Sequence, residues 1–174
     1  GSDNFTGAPV DGYHVDRIAG TRELCSALDA AQRRAESLGF GLLLWDGYRP
    51  QRATEAFVRW SQQAEDGLTK RRHYPRIDRG DFFEDGFVLA KSAHSRGSTV
   101  DLTLVSLATG APLPMGGDHD LMDEISHHAA TGIPAEDQAN RRSLRTVMEL
   151  SGFTPYETEW WHYTLRMDPP AGQA

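Results

Sequence analysis

The sequence predicts an α+β fold with a mostly antiparallel central sheet and helices packed against it. Amphipathic and apolar segments follow one another in the order helix, strand, helix, strands, helix, strands, and hairpin signals fall late in the chain. With 174 residues the chain is expected to form one domain over residues 1–174, long enough to bury a sizeable core. The first two residues, Gly1 and Ser2, are typical of a cloning scar.

The first helix is predicted to begin after a cap at Thr21 and to run to about Leu38. Its apolar residues recur at helical spacing, and Gly39 stands just past its end. Residues 40–45 form a short apolar run, which we interpret as a strand buried on both faces. The residues before this helix, 3–20, are expected to be mostly loop.

The turn at residues 46–50 places Arg49 before a proline, which favours an extended backbone at the arginine. Such a residue at the end of a strand can point into a cleft. The alternative is a surface arginine paired with Asp46, and this stretch alone does not decide between them.

The remaining elements follow from the same signals of periodicity and turn residues. A long charged loop at residues 65–87 is a candidate lid over a site. A loop with a short helix is expected over residues 114–134, and the tail after Asp168 is expected to be frayed. The predicted helices cover residues 51–64 and 135–150, the predicted strands cover 87–90, 98–105 and the regions from 153 and 160–165, and a hairpin turn is expected at 109–112.

Composition excludes several classes of function. Hydrophobic residues make up 39% and charged residues 25%, as in ordinary globular proteins. The net charge of −7 argues against nucleic acid or an anionic membrane as a partner, and no apolar run approaches the roughly 20 residues that span a bilayer. The single cysteine, Cys25, excludes an internal disulfide and is expected to be a small core residue on a helix.

Two histidines and an aspartate are candidate metal ligands. His94 and Asp101 lie seven positions apart, and on an unbroken strand this odd separation would aim them at opposite faces. Gly97 lies between them and allows a turn that brings both to one face. His162 supplies a second imidazole, and two histidines with one carboxylate are typical of a zinc site with a coordination position open to water. Glu159 is then a candidate general base.

Spacing alone leaves this metal site open, because a histidine and an aspartate seven positions apart occur often by chance. Five further histidines have no comparable ligand partner by spacing. Among them the pair His127 and His128 is interpreted as solvated or capping residues rather than a metal site.

Longer stretches carry more information than these spacings. They are DNFTG (residues 3–7), GLLLWDGYRP (41–50), HSRGS (94–98), SHHAA (126–130) and EWWHY (159–163). With these stretches, which run through nearly the whole chain, the sequence resembles the zinc peptidases that cleave D-alanyl-D-alanine, a group that also includes hedgehog-type signalling domains. Within it the chain is most similar to the VanX-type D-alanyl-D-alanine dipeptidases. The resemblance implies the corresponding zinc peptidase fold.

The resemblance also implies a role for each matching residue. The implied zinc ligands are His94, Asp101 and His162. Glu159 matches the general base and Arg49 the residue that stabilises the transition state. Ser92 and Asp120 match positions that contact the two ends of the dipeptide, with Asp120 suited to the free ammonium. His119 precedes Asp120 where the group usually has an aromatic residue, which could reshape the pocket around the substrate amine.

The implied activity is zinc-dependent hydrolysis of the free dipeptide D-Ala-D-Ala in the cytoplasm, as in glycopeptide resistance. One alternative is a zinc D,D-carboxypeptidase that acts on peptidoglycan precursors. Another is a non-catalytic, zinc-stabilised interaction module, against which the presence of both Glu159 and Arg49 argues. The sequence leaves the oligomeric state open, a homo-oligomer included.

Overall fold

The computed structural model describes residues 2–15, 17–82 and 92–166. Helices and strands alternate in the predicted order, which confirms the α+β class. The helices are α1 (Arg22–Glu36), α2 (Gln51–Ser61), the four-residue α3 (Lys70–His73) and α4 (Ala135–Glu149), and the strands are β1 (Phe40–Asp46), β2 (Thr99–Ser106), β3 (Phe153–Tyr156) and β4 (Glu159–Leu165).

The four strands form one antiparallel sheet in the order β1-β2-β4-β3. The central strand β2 is buried along its first six residues. By contrast, the prediction that the first strand is buried on both faces is wrong. Strand β1 lies at the edge of the sheet, only Gly41 in it is fully buried, and Leu43 is 38% exposed.

Helix α1 begins as the sequence predicts and ends at Glu36, two residues before the expected end. The side chain of Thr21 accepts a hydrogen bond from the amide of Leu24, and Gly39 has a φ of +82° just past the end. Cys25, however, is exposed, and the expectation of a core residue is wrong. The buried face of the helix is formed by other positions, Leu24, Ala31 and Ala35, and Cys25 lies outside it.

The described residues form two hydrophobic clusters, one against the sheet and one around α2. The larger one joins α1 and α4 to the sheet, and Val100, Leu102 and Leu104 of β2 are completely buried in it. The smaller one lies around α2 and includes Phe57 and Phe5 from the N-terminal loop. Because side chains alternate along a strand, Asp101 lies on the other face of β2 from Val100 and Leu102.

The loops agree with the turn signals where they are described. The amide of Ser106 donates to the carbonyl of Ala111, which closes the turn expected at 109–112, and a 3₁₀ turn at Glu124–Ser126 lies inside the 114–134 loop. Helix α2 ends at Ser61, three residues before the expected end. The predicted strand at 87–90, part of the candidate lid and the tail after Asp168 lie outside the described residues. In the described part of the chain no helix is both long and apolar enough for a membrane crossing.

Candidate active site

His94 lies in a short 3₁₀ turn just before β2. The hydroxyl of Ser92 accepts a hydrogen bond from the His94 amide and caps this turn, which covers Ala93–Arg96. Gly97 ends it with a φ of +71°, a conformation that costs a residue with a side chain about 1–2 kcal/mol. The turn predicted at Gly97 is thus present, and it allows His94 to face the same side as Asp101.

Asp101 and His162 come from neighbouring strands. They are direct partners in the β2–β4 register. Their side chains therefore start on the same side of the sheet and close together. The third group, His94, reaches them from the turn before β2.

The three nitrogen and oxygen atoms form a small triangle. His94 Nε2 lies 3.3 Å from Asp101 Oδ1 and 3.3 Å from His162 Nδ1, and His162 Nδ1 lies 3.1 Å from Asp101 Oδ1. Asp101 Oδ1 is buried, yet it makes no hydrogen bond of good geometry to any described residue. Ligands about 2.0–2.1 Å from a tetrahedral cation lie about 3.3–3.4 Å apart, so the three residues could hold a metal ion.

The environment of the triangle favours this ligand chemistry. His94 Nδ1 lies 2.8 Å from the carbonyl oxygen of Gly47, a contact that requires a proton on Nδ1 and leaves the Nε2 lone pair free. Burial by itself would raise the pKa of Asp101, but the neighbouring imidazoles of His94, His119 and His162 hold it well below its ordinary value. Asp101 is therefore anionic at neutral pH and could serve as an oxygen ligand.

Glu159 lies at the start of β4, beside the triangle. The pairing of β3 and β4 is irregular at this point, between Pro155 and Tyr156. Glu159 Oε2 lies 3.4 Å from His162 Nδ1. Burial raises the pKa of Glu159 to about 7; His162 opposes the shift and Asp101 adds to it. A carboxyl group with this pKa can accept and release a proton near neutral pH.

Arg49 is both paired with Asp46 and directed into a cleft, the two alternatives that the sequence left open. Its guanidinium makes two hydrogen bonds to Asp46 Oδ2, from Nε at 3.0 Å and from Nη2 at 2.7 Å. It nevertheless lines the cavity that holds the triangle, and its Nη2 lies 3.9 Å from Asp101 Oδ2. Burial would lower the pKa of Arg49, but Asp46 and Asp101 raise it, so the cation persists. The Asp46 pair fixes its direction.

The triangle opens into a cavity of about 250 Å³. Glu159, Arg49, Ser92 and Asp120 all lie on its wall. Asp120 has a φ of +57°, unusual for a residue with a side chain. Apolar side chains complete the wall: Phe5, Phe57, Met122 and Trp161. All seven residues that the sequence predicted for the site therefore line one cavity.

His119 was expected only to reshape the pocket around the substrate amine, and it was not predicted as a member of the site. His119 Nε2 lies 3.7 Å from Asp101 Oδ2 and 3.4 Å from Asp120 Oδ1. Its spacing to the candidate ligands carries no regular pattern. The only signal in the sequence was its place directly before Asp120.

Comparison of the sequence with known proteins identifies the family of this chain. The family model described as D-ala-D-ala dipeptidase (Peptidase_M15) matches residues 1–172. A protein of Streptomyces coelicolor named D-alanyl-D-alanine dipeptidase is 64% identical over 167 residues, which are 96% of this chain and 83% of that protein. A protein of the same name from Enterococcus faecium is 56% identical, and the match covers 96% of this chain and 83% of that protein. Another from Escherichia coli is 32% identical, and the match covers 94% of this chain and 74% of that protein. The chain therefore belongs to the Peptidase_M15 family of D-Ala-D-Ala dipeptidases.

Proposed function

We propose that this chain is a zinc-dependent dipeptidase that hydrolyses free D-Ala-D-Ala to two molecules of D-alanine. The observation that carries the proposal is a His-Asp-His triangle with the Glu159 carboxyl group beside it and the Arg49 cation on the wall of the same small cavity. Relatives that are 56% and 64% identical bear the name of this activity.

Zinc would be held by His94 Nε2, Asp101 Oδ1 and His162 Nδ1. Two neutral imidazoles and one carboxylate form a donor set typical of catalytic zinc, which keeps a further position for water or substrate. When bound, zinc lowers the pKa of a coordinated water from about 16 towards 7 and polarises a carbonyl group.

Glu159 is the proposed general base. It takes a proton from the attacking water as the new C–O bond forms at the peptide carbonyl, and it delivers that proton to the leaving nitrogen as the C–N bond breaks. Burial raises the pKa of Glu159 to about 7 before any cation binds. A divalent cation nearby favours the charged carboxylate, which is the form that accepts the proton.

Arg49 is the proposed partner of the negative charge that develops on the carbonyl oxygen. Its guanidinium stays charged at every physiological pH, and the two bonds to Asp46 keep it in place before the substrate arrives. A donor fixed in advance loses no free energy to reorientation during the reaction.

The two ends of the dipeptide are assigned to Asp120 and Ser92. The Asp120 carboxylate would pair with the free ammonium, and the Ser92 hydroxyl keeps a proton to donate to the substrate while its oxygen caps the turn. The cavity of about 250 Å³ is below the roughly 300–1,000 Å³ of clefts for drug-sized ligands, which favours a dipeptide over a long cell-wall peptide.

The test compares the release of D-alanine from free D-Ala-D-Ala and from its N-acetyl derivative. We expect turnover of the free dipeptide only, its loss on chelation and its recovery with zinc. Preference for the acylated substrate would instead identify a D,D-carboxypeptidase. Zinc binding without turnover of either would identify a non-catalytic module.

A matched pair of variants tests the base. Glu159→Gln is expected to lower kcat by about a hundredfold or more while zinc still binds. Glu157→Gln removes an exposed carboxylate two residues away and should leave kcat unchanged. Full turnover in Glu159→Gln would disprove the assignment.

We extend the proposal to glycopeptide (vancomycin) resistance, because the resemblance of the sequence implies removal of D-Ala-D-Ala from the cytoplasmic pool of cell-wall precursors. Expression of the chain in a bacterium that also makes a precursor with a different terminus should raise vancomycin tolerance. The Glu159→Gln variant should not raise it.

A further inference from the structure

His119 is fixed by aromatic contacts on two sides. Its ring stacks on Trp45 with centroids 4.5 Å apart and an interplanar angle of 24°. The ring of Trp161 meets it edge-on at 5.5 Å. These contacts allow the imidazole little freedom, so the position of its Nε2 atom is set by packing.

That Nε2 atom is buried and makes no hydrogen bond of good geometry to a described residue. A buried polar group without a partner costs about 1–3 kcal/mol. Two carboxylate oxygens lie just outside bonding distance, Asp120 Oδ1 at 3.4 Å and Asp101 Oδ2 at 3.7 Å. A small side-chain rotation would bring either oxygen within reach of the N–H group.

The two oxygens belong to residues with different proposed tasks. Oδ1 of Asp101 faces the two candidate ligand imidazoles, so Oδ2 is the oxygen that a bound cation would leave for another partner. Arg49 Nη2 lies 3.9 Å from Oδ2 but already donates to Asp46. His119 is therefore the better placed donor for Asp101.

We propose that His119 is a positioning residue whose Nε2–H serves both Asp101 and Asp120 and thereby couples the metal site to the site of the substrate ammonium. This inference rests on the proposed function. Before substrate binds, the N–H lies between Asp120 Oδ1 at 3.4 Å and Asp101 Oδ2 at 3.7 Å and is shared by both. When an ammonium group pairs with Asp120, the Asp101 carboxylate can shift to take the whole bond from the fixed N–H, which holds the ligand oxygen more firmly.

The test uses three variants and measures zinc affinity by competition with a chromophoric chelator. His119→Phe keeps an aromatic ring against Trp45 but removes the donor. His119→Gln places an amide N–H near the position of Nε2. His14→Phe is the control, because His14 is exposed and has no part in the proposal.

We expect His119→Phe to weaken zinc binding about 10- to 100-fold, the usual cost of losing a group that orients a metal ligand. Its KM for D-Ala-D-Ala should also rise, because binding of the ammonium then no longer strengthens the hydrogen bond to Asp101. His119→Gln should restore both quantities to within a few-fold, and His14→Phe should match the unchanged chain. Circular dichroism and the melting temperature of the zinc-free variants show whether they fold.

The coupling between the metal site and the ammonium site is measured separately, as the effect of the dipeptide on zinc affinity. In the Glu159→Gln background, where the dipeptide is not consumed, saturating D-Ala-D-Ala should tighten zinc binding. The effect should be smaller when His119→Phe is added. N-acetyl-D-Ala-D-Ala lacks the ammonium and should give no such effect.

Three results would overturn the inference. They are unchanged zinc affinity in His119→Phe, equal weakening in His119→Gln and His119→Phe, and a dipeptide effect that is as large in His119→Phe as without it. If the unchanged chain hydrolyses D-Ala-D-Ala, each of these leaves the proposed function intact. If His119→Phe does not fold, the Gln variant decides, since zinc binding 10-fold or more weaker in a folded His119→Gln contradicts the role of the N–H. A chain that neither binds zinc nor cleaves the dipeptide removes both proposals together.

Discussion

The position of Arg49 depends on one neighbouring carboxylate. Asp46 Oδ2 accepts from both Nε and Nη2 of Arg49, and Tyr13 donates its hydroxyl proton to Oδ1 of the same carboxylate at 3.0 Å. The cation of Arg49 also lies 5.2 Å from the centre of the Phe57 ring. A charge held by these contacts is directed into the cavity without help from the substrate.

Removal of the Asp46 charge should therefore lower the rate without abolishing binding. In Asp46→Asn the guanidinium loses its ionic partner, and we expect kcat for D-Ala-D-Ala to fall by about tenfold to a hundredfold because the donor is misplaced. Arg49→Lys should fall by about a hundredfold or more, because a lysine cannot keep both bonds to Asp46. Steady-state kinetics measures both variants, and a kcat equal to that of the unchanged chain would contradict the role of Arg49.

The turn after β1 contacts His94, one of the candidate metal ligands. The carbonyl oxygen of Gly47 is the partner of His94 Nδ1 at 2.8 Å. A Cβ atom at Gly47 would lie 2.6 Å from the carbonyl oxygen of Ala19 and 2.8 Å from the side chain of Ile18. The backbone packs so closely here that only glycine fits, and the orientation of His94 depends on it.

Gly47→Ala should consequently weaken zinc binding as well as folding. We expect a loss of about 1–3 kcal/mol in the free energy of unfolding from the clash, and a roughly tenfold or greater loss of zinc affinity from the displaced carbonyl. Gly80→Ala is the control, because a Cβ atom there meets nothing within 4 Å. Urea unfolding measures the change in stability, and chelator competition measures the change in zinc affinity. Equal zinc affinity in Gly47→Ala and Gly80→Ala would refute the link to His94.

Helix α4 holds the loop that carries His119 and Asp120. Arg141 on this helix is only 2% exposed and donates to the carbonyl oxygens of Met115, Ile125 and His127, at 2.5, 2.9 and 2.9 Å. These three acceptors flank the segment on both sides, so a single buried guanidinium ties the loop to the helix.

Replacement of Arg141 should destabilise the whole domain. Arg141→Met leaves three carbonyl oxygens without this donor, and we expect a loss of about 3 kcal/mol or more in the free energy of unfolding. For a chain of this length that corresponds to a fall of roughly 6–12 °C in Tm. Arg142→Met changes the exposed neighbour and should have little effect. A Tm for Arg141→Met within 2 °C of the unchanged chain would contradict this account.

At the scale of the whole molecule, a bound metal should stabilise the fold. A ligand at 100 times its Kd adds about 2.7 kcal/mol if it binds only the folded state. We expect zinc at that level to raise Tm by roughly 5–10 °C. His94→Ala should lose the shift, and Mg²⁺ should not reproduce it, because Mg²⁺ prefers oxygen ligands. Calorimetry in the presence and absence of zinc measures it, and an equal shift in His94→Ala would show that zinc binds elsewhere.

His128 makes the folding stability of the zinc-free protein depend on pH. Its Nε2 atom is buried beside the ring of Tyr163, and burial lowers the pKa of His128 to about 4. Arg145 and Arg141 also lower this pKa, whereas Glu157 and Glu149 raise it. Because the unfolded chain binds the proton more readily, stability is complete above pH 6.5 and is lost as the pH falls towards 4.

Comparison of the unchanged chain with His128→Gln isolates this contribution, since every other side chain is the same in both proteins. Urea unfolding at pH 7.5 and 5.5, with a chelator present, should show a larger loss for the unchanged chain, at most ~1.4 kcal/mol per pH unit below 6.5. Equal losses in the two proteins would rule out His128 as the cause.

The sequence by itself determined the features that depend on neighbours along the chain. The cap at Thr21, the turn at Gly97 and the class of fold follow from local spacing, because helix ends and glycine turns need only a few adjacent residues. The residues proposed for the site came from the stretches that carry the family resemblance, since spacing alone left the metal site open, and the structure brings them to one cavity.

Only the tertiary structure decided which faces are covered and which distant atoms meet. Leu43 is partly exposed because β1 is the edge strand, and Cys25 is exposed because α1 buries other positions. His119 lies between two carboxylates because its loop folds over Trp45, 74 positions earlier in the chain. Contacts of this kind depend on the packing of whole elements, and no short stretch of sequence contains them.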